Sequence, residues 1–215
     1  MSAPLASGTE SRGDLVRQAF WLEWLTIAWM LVEAAVAIWS GYVAHSITLL
    51  AFGFDSVIEL FSAGVLIWRL TTELRHGQTF SEQAEQRASK IGGALLFALA
   101  AYVVASAAWS LWTQRAEEFS MPGLVVALVA IPTMYFLAKR KIALAEQIGS
   151  RALRADAVES ITCGWLSVMV VLGLTAQYFI GAWWIDSVTS LGIVWFLVKE
   201  GREAWAGEEC CDSCH

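Results

Sequence analysis

Six stretches of this chain are apolar enough, or nearly so, to cross a bilayer, and they leave few ways for it to fold. They run approximately Phe20–Val43, Ile47–Leu70, Ile91–Trp112, Phe119–Ala138, Ala157–Ile180 and Trp183–Val198. A spanning helix needs about 20 mostly apolar residues. The expected fold is an all-α membrane protein with six transmembrane helices. Composition agrees: 57% of the residues are hydrophobic and 16% charged, against about a quarter charged in a soluble domain. The net charge of -6, with no basic patch, weighs against a nucleic-acid partner. The fourth segment carries Pro122 near its start and Pro132 inside it, so a kink is expected there. The sixth segment is short, and its start is the least defined boundary.

The polar first stretch, residues 1–18, is expected to be a disordered tail. The apolar run after it exceeds the ~7–15-residue core of a signal peptide, so it is read as the first membrane helix. The organisation is then a tail at 1–18, a six-helix transmembrane domain at 19–200 and a second tail at 201–215. Basic residues orient it. Arg12, Arg17, Arg69, Arg75, Arg87, Lys90, Lys139, Arg140, Lys141, Arg151, Arg154, Lys199 and Arg202 fall on one side of the alternating helices, and Arg115 alone on the other. Lys and Arg accumulate on the cytoplasmic side, which places both termini in the cytoplasm. An even number of helices is consistent with this. The basic stretch K-R-K-I-A-L-A-E-Q-I-G-S-R-A-L-R at 139–154 is read as a long cytoplasmic connection.

Ionisable groups inside spanning helices cost about 2.5–3.5 kcal/mol each on insertion scales, and so point to function. On the second helix Asp55 and Glu59 are four residues apart, on one face and about 6 Å from each other along the axis. Two stacked carboxylates repel when ionised; a divalent cation or protonation removes the repulsion. On the fifth helix Glu159 and Cys163 repeat the spacing, and Asp156 and Ser160 extend that face toward the cytoplasm. Facing each other, Asp55, Glu59, Glu159 and Cys163 would form a four-ligand, roughly tetrahedral site. Such a site suits Zn²⁺, and its thiolate argues against Mg²⁺ or Ca²⁺.

Several of these residues also have plainer roles. A lone Cys in an apolar helix is usually a small buried hydrophobe. Asp156 reads as a solvated residue or accessory ligand, and Asp186 as the N-cap of the sixth helix. Glu23 and His45 read as interfacial. Glu33, in the middle of the first helix, either handles protons beside the site or makes a structural hydrogen bond.

The chain ends E-E-C-C-D-S-C-H at 208–215. Cys211-x-x-Cys214-His215 has the spacing of haem c attachment and of redox pairs, but a cytoplasmic tail with no folded domain around it suits neither use. Cys210, Cys211, Cys214 and His215 are instead candidate ligands for a thiophilic metal. Glu73, His76, Glu82 and Glu85, between the second and third helices, are weaker candidates.

The stretches HSITLLAFGFDSVIELFSA, RADAVESITCGWLS and WWIDSVTSLGIVWFLVKEGREAW resemble the cation diffusion facilitators, six-helix exporters of divalent metals. The likeness covers roughly residues 15–205. It implies a transport site with two ligands from each of the second and fifth helices, on Asp55, Glu59, Glu159 and Cys163. It also implies homodimers and helix rearrangement that exposes the site to each side in turn. Zinc exporters of that family tend to use Asp and His at these positions; Glu and Cys here widen the expected cargo to softer ions such as Cd²⁺. The resemblance is to the shorter branch without a cytoplasmic C-terminal domain, where a Cys-rich tail would gather metal. The function expected is proton-coupled efflux of Zn²⁺ or Cd²⁺ across a bacterial inner membrane, with no resident cofactor. The alternative is a membrane metal sensor or scaffold that does not transport. An enzyme is disfavoured, because no Ser-His or Cys-His pair lies in the apolar helices to activate a nucleophile.

Overall fold

The computed structural model describes residues 12–76, 82–113 and 118–206. They form six helices: α1 (Arg12–Ala44), α2 (Ile47–His76), α3 (Glu82–Thr113), α4 (Met121–Ile148), α5 (Arg151–Ile180) and α6 (Ile185–Ala206). Each of the six expected spans corresponds to one helix, with α4 and α6 each beginning two residues later than the apolar run. Among the described residues, five helices contain a stretch long and apolar enough to cross a membrane. The exception is α6, where Lys199, Glu200 and Arg202 interrupt the apolar run.

The helices outrun the apolar segments. The expected long connection at 139–154 is almost all helix. There α4 continues through Pro132 to Ile148, where Gly149 takes the left-handed conformation (φ 69°) and its N–H bonds the carbonyl of Ala145. Ser150 at once caps α5, accepting from the N–H of Leu153. A two-residue hinge therefore replaces the loop. These extensions hold together because they carry their own apolar face. Leu144, Ala145, Ile148 and Leu153 pack with Leu15, Val16, Ala19, Leu66 and Leu70 in a second core at the basic end of the bundle. The main core, built around Phe52, Met134, Cys163, Leu166 and Ile193, fills the middle.

The helices pack most extensively in the pairs α1–α2, α4–α5 and α3–α6, while α2 and α5 also touch each other in the interior. Small residues set the α1–α2 distance. A Cβ on Gly53 would lie 2.7 Å from Ile38 Cγ1 and 2.9 Å from the Ile38 backbone nitrogen. Such close approach is the usual way helices associate in lipid, where no hydrophobic force draws them together. The outer surface is apolar. Trp21, Trp24 and Trp68 are exposed toward one end and Trp39, Tyr42, Trp109 and Trp112 toward the other, as in the aromatic belts of membrane proteins.

Gly53→Ala should lower the unfolding temperature of the detergent-solubilised protein by several degrees, in line with the about 1–3 kcal/mol cost of overpacking. Gly64→Ala, on the same helix with nothing within 4 Å of the added atom, should leave it unchanged. Equal effects would contradict this account of the α1–α2 contact.

Candidate metal centre

The pocket begins with helix periodicity. Asp55 and Glu59 project from one face of α2 toward the centre, where α5 presents Cys163. One ligand atom from each of Asp55, Glu59 and Cys163 lies within 4.8 Å of the others. Asp55 and Cys163 are buried, and Glu59 is half-buried. The second oxygen of Glu59 has no hydrogen-bond partner. Two carboxylates and a thiol at this separation are a donor set for a divalent ion that accepts sulfur.

Glu159 does not belong to this close group. It hydrogen-bonds Ser62 of α2, near enough to Asp55 and Glu59 for its charge to act on both. Its other oxygen, Oε2, has no hydrogen-bond partner.

Glu33 of α1 meets Cys163 from another side, by a hydrogen bond. Its Oε1 accepts from Cys163 Sγ at 3.4 Å and from Ser56 Oγ at 2.7 Å. Its Oε2 accepts from Trp29 Nε1 at 2.7 Å. Of the two roles open to Glu33, the structural hydrogen bond is visible here. Three donors from three helices converge on one fully buried carboxylate, so Glu33 fixes Ser56, next to Asp55, and Cys163 relative to each other.

The other ionisable residues fall elsewhere. Asp156 is buried and joined to Lys141 rather than solvated or turned to the pocket, and Glu23 is fully buried beside the same lysine rather than interfacial. Helical spacing could have revealed this, since Lys141 sits seven residues from both Met134 and Ile148 on the buried stripe of α4. Glu200 of α6, absent from the sequence reading, lies close enough to Asp55 and Glu159 to interact with their charges. Lys199 and Arg202 beside it in sequence gave it the look of a solvated helix end. The tail residues Cys210, Cys211, Cys214 and His215 lie outside the described residues, and the side chains of Glu73, His76, Glu82 and Glu85 are likewise not described.

Asp186 does not cap its own helix. It lies in the first turn of α6 and caps α2 instead, accepting from the N–H of Ile47 at 2.8 Å and of Thr48 at 3.1 Å. The Ser46 hydroxyl also bonds it, and Thr48 Oγ1 donates to the Asp186 carbonyl at 3.1 Å. A carboxylate at a helix N-terminus satisfies orphan N–H groups and complements the helix dipole. This bond set anchors the start of the helix that carries Asp55 and Glu59.

Fold and site together define a multi-pass membrane protein with a carboxylate–thiol pocket buried between its helices. A family model described as the cation efflux transmembrane domain matches residues 24–205, and the chain belongs to that family. It is 27% identical over 173 residues to an uncharacterized transporter of Synechocystis, covering 79% of this chain and 56% of the relative. It is 24% identical over 179 residues to transmembrane protein 163 of Xenopus laevis, covering 83% and 62%. With the manganese efflux system protein MneS of Bacillus subtilis it shares 27% identity over 191 residues, covering 84% and 66%. The chain thus spans 56% to 66% of the length of these relatives. It is a membrane-embedded member of a cation-efflux family.

Asp186→Ala should destabilise the protein by about 2 kcal/mol through loss of the cap and its charge-assisted bonds, read as a lower unfolding temperature in detergent. Asp186→Asn, which keeps one acceptor oxygen, should lose less. A fully stable Asp186→Ala protein would contradict this role.

Proposed function

We propose that this chain exports Zn²⁺, or a similar sulfur-accepting ion such as Cd²⁺, from the cytoplasm in exchange for protons. The observation that carries the reading is the convergence of Asp55, Glu59 and Cys163 within 4.8 Å inside the bundle. Glu159 is the proposed fourth ligand, since it stands one turn before Cys163 on α5 and has an unpartnered oxygen. The Bacillus relative is named for manganese. The thiol of Cys163 favours a softer cargo here, because hard ions prefer all-oxygen sites.

The chemistry of these ligands makes exchange possible. Carboxylates and thiols bind metal only when deprotonated, so loading releases protons and protonation releases metal. Closely spaced acids titrate as a coupled set, and the pocket then alternates between metal-loaded and proton-loaded states. Affinity should therefore fall as pH falls. Glu33, bonded to Cys163, keeps the sulfur directed at the site. We further propose that the protein works as a homodimer in a bacterial inner membrane, and that the tail at 208–215 gathers metal for it. Deletion of the tail should then weaken metal capture while leaving the central pocket intact.

Liposome-reconstituted protein tests this. A proton gradient should drive Zn²⁺ or Cd²⁺ flux, and Asp55→Asn should cut it by about tenfold or more, the equivalent of at least about 1.4 kcal/mol. Zn²⁺ binding by the solubilised protein should weaken as pH falls, because protons compete with the metal for these ligands. Intact metal binding with no flux of any divalent ion would replace this proposal with a non-transporting sensor.

A further inference from the structure

Outside the metal pocket, the densest set of buried charge lies toward the basic end of the bundle. Lys141 of α4 is fully buried, although its neighbours Lys139 and Arg140 are exposed. Its ammonium bonds the carboxylate of Asp156 and donates to Ser160 Oγ at 3.3 Å, both on α5. It also stands 3.4 Å from Glu23 Oε2 on α1. Glu23 is fully buried too, and neither of its oxygens makes a hydrogen bond. The cluster therefore sets two carboxylates against one ammonium, and removing a partner from a buried pair strands the charge that is left. A buried lysine so placed holds three helices at one point.

The cluster's position gives it a use. Asp156 precedes Cys163 by seven residues on α5, about 10 Å nearer the basic end. Glu23 precedes Glu33 by ten on α1, about 15 Å. Lys141 is also close enough to Glu59 for their charges to interact. The cluster thus lies between the pocket and the basic end of the bundle, which the positive-inside rule makes cytoplasmic. At the opposite end the Asp186 bonds tie α6 to α2, and Cys163 between them is fully buried. We propose that Lys141 is a tethered cation seated on Glu23 and Asp156, closing the cytoplasmic approach to the metal pocket. Metal entry then requires Lys141 to leave this seat, which parts α4 from α1 and α5.

The inference takes its purpose from the transport proposal, but the closure can be measured without metal or flux. Replacing Cys210, Cys211 and Cys214 with Ser leaves Cys163 alone of the 4 cysteines. In inside-out vesicles a charged, membrane-impermeant methanethiosulfonate reports access to it from the cytoplasmic face. Lys141→Met should speed its labelling about tenfold or more, as loss of a buried pair shifts the closed population, and Lys141→Arg should stay slow. The neutral triple variant Glu23→Gln, Lys141→Met, Asp156→Asn leaves no stranded charge, and should label as fast as Lys141→Met even if that single variant misfolds. Unchanged labelling of a monodisperse triple variant would overturn the proposal. Equal acceleration in right-side-out vesicles would overturn it too, because it would mean general loosening rather than a gate on one face.

Discussion

A charged side chain inside an apolar bundle must be met by a partner, a cation or a proton, because hydrocarbon offers no water in their place. The whole interior of this protein is arranged around that requirement. Asp186 is met by the N-terminal N–H groups of α2. Glu33 is met by three donors. Asp156 and Glu23 are met by one lysine. Glu59 and Glu159, on the helices that carry Asp55 and Cys163, each retain an oxygen with no hydrogen-bond partner. Asp55 and Glu59 instead gather beside the Cys163 thiol, which is what a pocket for a travelling cation demands.

Close helix packing makes this arrangement possible. Gly53 brings α2 against α1 near Ile38, one turn before the level at which Ser56 reaches Glu33. The α1 carboxylate can then span to Cys163 on α5, so the close α1–α2 contact and the pocket geometry are linked through a single side chain. The two-residue hinge at Gly149–Ser150 does similar work on the other side, holding Lys141 of α4 beside Asp156 and Ser160 of α5.

Much of this was legible in the sequence, and the limits are physical. Apolar length gave the six helices, and spacing along a helix gave the shared face of Asp55 and Glu59 and that of Glu159 and Cys163. Periodicity fixes which residues share a face but not how far a helix is rotated against its neighbours. The approach of Glu33 to Cys163, the turn of Glu159 toward Ser62 and the proximity of Glu200 all depend on that rotation. Lys141 was hidden by its company, since a K-R-K run reads as solvated even when one member continues a buried stripe. Asp186 was assigned to the nearest helix start in sequence, whereas the N–H groups it meets lie more than a hundred residues away.

The claim on which the account rests is that a single pocket holds the cation through both carboxylate and thiolate. X-ray absorption on the Zn²⁺-loaded protein lacking residues 208–215 tests it directly. The account predicts one sulfur neighbour at about 2.3 Å with oxygen neighbours at about 2.0–2.2 Å, and loss of the sulfur shell in Cys163→Ser. A shell of oxygen or nitrogen alone in the protein with Cys163 intact would contradict it.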